Sequence, residues 1–216
     1  MNVLAGTAVL ATGTLALLGL VELVERRWRP HPEIPRKLAH VGAGGIACCA
    51  PFLLTTHWAM LFLTGSFALL LLAARKLGLL RSLHGRVGAG DIVYPGGIYA
   101  AFVLADGDAL LFQVSVLVLA LADPAAALVG RRFGRLRYRL AGVTRSIEGS
   151  LGFAATTFGI TALALVASGR LGAPSALVCA FVVAVVVASL EAASPPGLDN
   201  LAVPVGTLLA VGPWLP

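Results

Sequence analysis

Charged and polar side chains that could bind a phosphorylated ligand recur in short stretches of an otherwise apolar chain. These are RKLAHVGAG at residues 36–44, DPAAALVGRRFGR at residues 123–135, VTRSIEGS at residues 143–150 and EAASPPGLDN at residues 191–200. Arginine and lysine pair with phosphate oxygens, whereas aspartate and glutamate supply the oxygen ligands that Mg²⁺ prefers. The residue types therefore suit a site that handles phosphate.

The first stretch has the spacing of one polar helix face. Arg36, His40 and Gly44 recur at every fourth residue, and Lys37 lies three residues before His40, so on a helix these side chains are neighbours. Two fixed positive charges and an imidazole on one face would suit a phosphate chain. A histidine in this position could also be a structural hydrogen-bonding group.

The stretch at residues 143–150 opens a predicted helix with a polar first turn. Ser146 and Glu148 lie at this helix start, where free backbone N–H groups and the helix dipole attract anions. Arg145 lies beside them as a partner for phosphate. Ser146 could also act only as a helix cap, so the sequence leaves both roles open.

The last polar stretch joins two predicted helices. Pro195 and Pro196 end one helix, and Asp199 and Asn200 open the next in the position of helix caps. Glu191 and Asp199 offer carboxylate oxygens of the kind that bind Mg²⁺. This stretch could therefore cap a helix, hold a metal ion or both.

The composition places these stretches in a membrane protein. The 216-residue chain is 58% hydrophobic and 12% charged, whereas soluble domains carry about 25% charged residues. Apolar runs long enough to cross a bilayer predict an all-α, polytopic helix bundle that forms a single domain over residues 1–216. About eight membrane segments are expected, at residues 3–24, 39–55, 58–74, 92–105, 109–130, 150–168, 174–192 and 201–215.

Some of these segments should be irregular. The fourth and eighth segments are short and contain Gly and Pro, so either could be re-entrant or broken. The first has no basic residues before it, which favours a retained membrane helix over a cleaved signal peptide.

The distribution of positive charge predicts the orientation. All but one of the 16 Lys and Arg residues follow the first, third or fifth segment, Arg81 and Arg86 among them, and only Arg170 lies on the other side. The positive-inside rule makes the rich side cytoplasmic, with both termini outside the cell membrane. The net charge of +6 then reflects topology, and no nucleic-acid partner is expected.

Asp123 is predicted to lie within the membrane. It precedes Arg131 by eight residues, about 12 Å of helix, and an ionisable group at such depth is costly and usually functional. The Asp-Pro pair predicts that one helix ends at Asp123 and another begins at Pro124. Ala127, Gly130 and Gly134 would then form a face of small residues that a backbone or ligand can approach closely. A structural kink is the alternative.

In their order along the chain, these motifs resemble the CTP-dependent polyprenol kinases, a family that includes phytol kinase, farnesol kinase and the catalytic part of dolichol kinase. The resemblance covers about residues 36–205 and also includes DIVYPGG at residues 91–97. It implies transfer of the terminal phosphate of CTP, with Mg²⁺, to the hydroxyl of a membrane-dissolved isoprenoid or other long-chain lipid alcohol. The active site would then lie at the cytoplasmic face.

The resemblance also implies roles for individual residues. The catalytic residues would be Asp123, His40, Glu148 and Asp199, and the metal ligands would be Asp123, Glu148, Asp199 and Glu191. The nucleotide- and phosphate-binding set comprises Arg36, Lys37, Arg131, Arg132, Arg145, Ser146, Gly130, Gly134 and Asn200. Tyr94 and Pro95 are assigned to the groove of the lipid alcohol. Which carboxylate acts as base stays open, and His40 either polarises a phosphate oxygen or relays the proton.

Two other functions remain alternatives. A membrane cytidylyltransferase that makes a CDP-lipid would use the same nucleotide and carboxylate-bound Mg²⁺. A small transporter would also contain broken helices with charges at depth, but it should place those charges near the midplane. Assembly into a homo-oligomer through the small-residue helix faces is possible.

Overall fold

The computed structural model describes residues 2–31, 33–78 and 90–215. Within these ranges the chain forms helices and one short antiparallel β-hairpin. The helices are α1 (Val3–Trp28), α2 (Glu33–Ala47), α3 (Ala50–Leu53), α4 (His57–Lys76), α5 (Gly90–Leu104), α6 (Ala109–Phe133), α7 (Ile147–Ser168), α8 (Ala173–Ala193) and α9 (Asp199–Val211), and the strands are β1 (Arg137–Leu140) and β2 (Val143–Ser146). In the hairpin, Arg137 pairs with Ser146 and Leu140 with Val143.

The described helices confirm a multi-pass, helical membrane bundle. Within the described ranges, α1, α4, α6, α7 and α8 are long and apolar enough to cross a membrane. The short predicted segments correspond to α5 and α9. The predicted segment at residues 39–55 is instead divided between α2 and α3 by a turn at Cys48 and Cys49, and α2 begins earlier, at Glu33.

Helix α6 lies at the centre of the bundle and packs against α2, α7 and α9. Its middle is almost wholly buried, as at Val116 and Val118. The predicted helix break at Asp123 is wrong, because α6 continues through Asp123 and Pro124 to Phe133. A proline is tolerated inside a membrane helix where neighbours satisfy the backbone groups around it. The His40 ring of α2 also donates to the Leu119 carbonyl of α6, at 3.1 Å.

The polar stretches meet at one end of the bundle, which we call the basic end. It comprises the end of α1, the starts of α2, α5, α7 and α9, the ends of α6 and α8, and the β-hairpin. The start of α1 and the end of α9 lie at the opposite end. Arg81 and Arg86, predicted to belong to the same charged side, lie outside the described residues.

At the opposite end, an ion pair joins two inter-helix turns. Asp108 accepts a hydrogen bond from Arg170 and also caps α6 by accepting from the Leu111 amide. Partial burial raises the pKa of Asp108, but the hydrogen bonds and charge of Arg170 outweigh it and hold that pKa below its usual range. This pair links the start of α6 to the turn between α7 and α8.

Helices α5 and α9 approach each other closely, and Gly97 permits it. A Cβ atom at Gly97 would lie 1.9 Å from the Asn200 carbonyl oxygen. The side chain of Asn200 donates to the Gly90 carbonyl at 2.9 Å, so it ties α9 to the start of α5. The predicted cap role of Asn200 and Asp199 is wrong, because α9 begins at Asp199 after Leu198 with no side-chain cap.

We predict that Gly97→Ala destabilises the protein because the new methyl group would overlap the backbone of α9. Overpacking of this kind costs about 1–3 kcal/mol in the free energy of unfolding. Gly96→Ala is the matched control, since a Cβ atom there meets nothing within 4 Å. Thermal unfolding in detergent should show a lower midpoint for Gly97→Ala alone. Equal midpoints for the two variants would contradict the close approach.

Candidate active site

An ion pair between α2 and α6 lies at the centre of the basic end. The Lys37 ammonium donates to Oδ2 of Asp123, and the two side chains are 15% and 32% exposed. His40 lies one turn further along α2, where its ring contacts the Tyr94 ring at a centroid distance of 4.3 Å. The Tyr94 hydroxyl donates to the His40 carbonyl at 2.8 Å. These contacts hold α2, α5 and α6 in a fixed arrangement around the two charges.

One side of this ion pair faces a cavity of about 310 Å³, which we call the inner cavity. Its polar lining consists of Arg36, Lys37, His40, Tyr94, Asp123, Asp199 and Asn200, and its apolar lining includes Leu17, Leu18, Phe67 and Leu71. The sequence predicted Asp123, His40 and Asp199 as site residues, and the fold brings all three together here. The lining changes from charged to apolar within one cavity.

The other side of the ion pair faces a larger cavity of about 830 Å³, which we call the basic cavity. Its lining includes Glu33, Arg36, Lys37, Asp123, Ala127, Gly130, Arg131, Arg137, Arg145, Ser146, Ser150 and Glu191. The two cavities share Arg36, Lys37 and Asp123. A volume of this size lies in the range of about 300–1,000 Å³ that holds small molecules and cofactors.

An apolar cleft of about 340 Å³ adjoins the inner cavity. Its walls are formed by Leu10, Ala11, Thr14, Leu15, Ala43, Ile46, Ala47, Ala50, Met60, Leu63, Thr64, Ser66, Phe67, Leu70, Tyr94, Pro95 and Ile98. The two residues predicted for a lipid alcohol, Tyr94 and Pro95, both line it. Tyr94 also lines the inner cavity.

The inner cavity has the donor groups to help hold a magnesium ion. Asp199 Oδ1 is buried with no hydrogen-bond partner among the described residues, and Asp123 lines the same cavity. No three His, Cys, Asp or Glu side chains in the described part are grouped as a metal site. Protein-bound Mg²⁺ usually takes one or two carboxylates and completes its shell with water and substrate phosphates. The two aspartates fit that pattern.

Arg145 ties the β-hairpin to the end of α8. Its Nε atom donates to Glu191 Oε1 at 3.0 Å, and its Nη2 atom donates to the carbonyls of Glu191 and Ser194 at 3.0 and 3.1 Å. The Nη1 atom is buried without a partner among the described residues. Arg145 therefore positions one wall of the basic cavity and keeps one donor group unused.

Ser146 and two glycines shape the same wall. Ser146 is the cap of α7, since its Oγ atom accepts from the Gly149 amide at 3.1 Å. Cβ atoms at Gly130 and Gly134 would lie 3.0 and 2.8 Å from this Oγ atom. The predicted small-residue face of α6 therefore packs against the start of α7, and Gly130 and Ser146 also line the basic cavity.

Three residues predicted for catalysis or phosphate binding, Glu148, Arg132 and Gly134, line neither the inner nor the basic cavity. Glu148 Oε1 accepts from the amides of Arg135 and Leu136 at 2.9 and 3.2 Å, and so it orders the turn after α6. Arg132 lies over the Phe133 ring at 5.8 Å.

Glu33 and Arg137 are lining residues that the sequence reasoning did not assign. Glu33 Oε2 pairs with Arg36 at 3.1 Å and with Arg131 at 3.7 Å, and thereby holds two cations at the mouth of the basic cavity. The spacing of three residues between Glu33 and Arg36 was a signal that could have identified this pair. Arg137 lines the cavity because it lies on the β-hairpin, and the sequence analysis did not predict a hairpin.

The fold and the cavities define a multi-pass membrane protein with an ion-paired polar site at one end of its helix bundle. The chain is 33% identical to the phytol kinase of Synechocystis sp. over 215 aligned positions, which cover 92% of this chain and 87% of that protein. It therefore belongs to the polyprenol and phytol kinase family, which confirms the resemblance of its motifs. No protein-family model and no solved structure matches the chain.

We predict that Arg145→Met detaches the hairpin from α8. Glu191 is only 12% exposed and would lose its partner, and breaking a buried pair in this way costs about 3–5 kcal/mol. Arg139→Met is the control, because Arg139 lies on the same hairpin and is exposed. Limited proteolysis should cut residues 135–146 faster only in Arg145→Met. The same cleavage rate in both variants would contradict the positioning role.

Proposed function

We propose that this protein transfers the terminal phosphate of CTP to the hydroxyl of an isoprenoid alcohol such as phytol within the membrane. One structural observation gives this proposal its main support. The basic cavity and the inner cavity meet at Arg36, Lys37 and Asp123, so a phosphate chain on one side and a lipid hydroxyl on the other would meet at these side chains. A kinase that acts on a lipid alcohol needs such a boundary because its two substrates prefer different solvents.

The basic cavity would hold the nucleotide. Arg36, Lys37, Arg131 and Arg137 line it, and positive side chains offset the charge of a triphosphate. The unused Nη1 atom of Arg145 adds a donor in the same wall. The preference for CTP follows the family resemblance. Phosphoryl transfer depends mainly on positioning and on charge neutralisation, and this lining provides both.

Asp123 and Asp199 would hold Mg²⁺ at the junction of the two cavities. When bound, Mg²⁺ neutralises charge on the phosphates and helps to orient them. Lys37 adds a fixed positive charge at Asp123, and it can turn to a phosphate oxygen when the nucleotide arrives. Glu191 is paired with Arg145, so its contribution would be to hold that wall in place.

The inner cavity would receive the alcohol. The alcohol oxygen forms a bond to the terminal phosphorus as the bond from that phosphorus to the bridging oxygen of the nucleotide breaks. The hydroxyl proton passes to a carboxylate, Asp123 or Asp199, and the nucleoside diphosphate leaves. The Nε2–H group of His40 donates to the Leu119 carbonyl, which leaves Nδ1 of a neutral ring as a hydrogen-bond acceptor.

The proposal predicts transfer of the terminal phosphate only. Purified protein with Mg²⁺ and phytol should move label into the lipid phase from CTP labelled at the terminal phosphate. CTP labelled at the phosphate next to the ribose should leave the lipid unlabelled. Lipid labelled from that inner phosphate would contradict the proposal and indicate a cytidylyltransferase, and labelled ATP in a parallel reaction tests the choice of nucleotide.

In the same assay, Asp123→Asn should lower the transfer rate at least about 100-fold, the scale expected when a preorganised charged group is lost from a reaction centre. Asp106→Asn is the control, because Asp106 is exposed in the turn at the opposite end of the bundle. Helix content and gel-filtration behaviour should match the unmodified protein in both variants. Near-normal transfer by folded Asp123→Asn would contradict the assignment.

A further inference from the structure

The apolar cleft has the lining of a hydrocarbon site. It lies between α1, α2, α4 and α5, and almost all of its lining atoms are apolar. The hydroxyl groups of Thr64, Thr14 and Tyr94 are already bonded within the protein, since Thr64 and Thr14 donate to the Met60 and Leu10 carbonyls, both at 2.8 Å, and Tyr94 donates to the His40 carbonyl. A polar ligand would therefore find few partners here, whereas a hydrocarbon chain loses nothing by entering.

The cleft continues directly from the inner cavity. Thr14, Ala43, Phe67 and Tyr94 line both. On α2, the side chains that line first the inner cavity and then the cleft change along successive turns from Lys37 to alanines. A molecule with a hydroxyl near Asp123 and a hydrocarbon tail would thus meet charged atoms only at its head.

The path formed by the inner cavity and the cleft is closed at its far end and has a definite depth. Leu10, Ala50 and Met60 are at most 2% exposed and form this end. Met60 and Leu71, which lie at the two limits of the path on α4, are about 16 Å apart at 1.5 Å of rise per residue. That depth is about half of the 30 Å hydrocarbon core of a bilayer, and so about one leaflet.

One side of the cleft is open towards the hydrocarbon of the membrane. Leu15 on α1 and Leu70 on α4 line the cleft and are 55% and 40% exposed, and Ser66 beside them is exposed as well. The opening lies between α1 and α4. A lipid chain could enter through this opening from the bilayer without crossing the basic end.

We propose that this cleft binds the hydrocarbon chain of the alcohol, so that Ala11 of α1 and Ala47 of α2 determine which chains are accepted. The inference rests on the proposed function for the reaction at the hydroxyl. The occupant is a single isoprenoid chain about one leaflet long, since the inner cavity and the cleft are continuous and together have that depth. Small side chains at both positions leave the space that such a chain needs.

Bulky substitutions in the cleft test this inference. Ala11→Phe and Ala47→Phe should each lower kcat/KM for phytol about tenfold or more, the scale on which filled hydrophobic pockets discriminate. Activity with geraniol, whose shorter chain ends nearer the inner cavity, should change less than about twofold. Ala16→Phe is the matched control, since Ala16 is exposed on α1 and does not line the cleft. Cleft variants that keep the phytol-to-geraniol ratio of the control would overturn the inference.

A binding measurement separates this inference from the proposed reaction and does not depend on the variants folding. The unmodified protein in lipid nanodiscs is irradiated with a phytol analogue that carries a photoreactive diazirine at the tail end, and the labelled residues are identified by mass spectrometry. Labelling of α1, α2 and α4 at the cleft, reduced by excess phytol, supports the inference even if no phosphate is transferred. Labelling confined to other surfaces overturns it, even in a protein that is an active kinase.

Discussion

A lysine and an aspartate that face each other between two helices hold the basic end of this bundle together. Either charge alone would be costly among apolar helices, and removing one partner of such a pair leaves the other uncompensated. Lys37 and Asp123 therefore fix α2 against α6. The same pair separates the basic cavity from the inner cavity, so one interaction sets both the packing of the helices and the meeting point of the two proposed substrates.

The remaining polar contacts support this arrangement from the outside. Arg145 fastens the hairpin to α8, Glu33 holds two arginines at the mouth of the basic cavity, and Asn200 ties α9 to the start of α5. Each contact joins elements that are distant in sequence, so the site depends on the assembled fold. The result is a path whose lining changes from arginine to aspartate and then to hydrocarbon, as a reaction between CTP and a membrane alcohol would require.

Hydropathy and charge spacing were sufficient to predict the multi-pass bundle. Capping by Ser146 was one of two roles that the sequence left open, and the set of Asp123, His40 and Asp199 followed from the family resemblance. Predictions made from neighbouring residues in the sequence failed where a residue distant in the sequence determines the structure. The Asp-Pro pair suggested a helix end, yet α6 continues through both residues inside the packed bundle. Asn200 has the residue type of a cap but bonds Gly90 of α5 instead. Glu148 accepts from backbone amides after α6, a contact that only the folded hairpin creates.

The most direct test of the account is a structure of the protein in lipid nanodiscs with Mg²⁺ and a non-hydrolysable CTP analogue. Triphosphate density is expected in the basic cavity, with the terminal phosphate at the boundary formed by Arg36, Lys37 and Asp123 and directed towards the inner cavity. Triphosphate density on another surface, or a terminal phosphate separated from Asp123 by the hairpin, would contradict it.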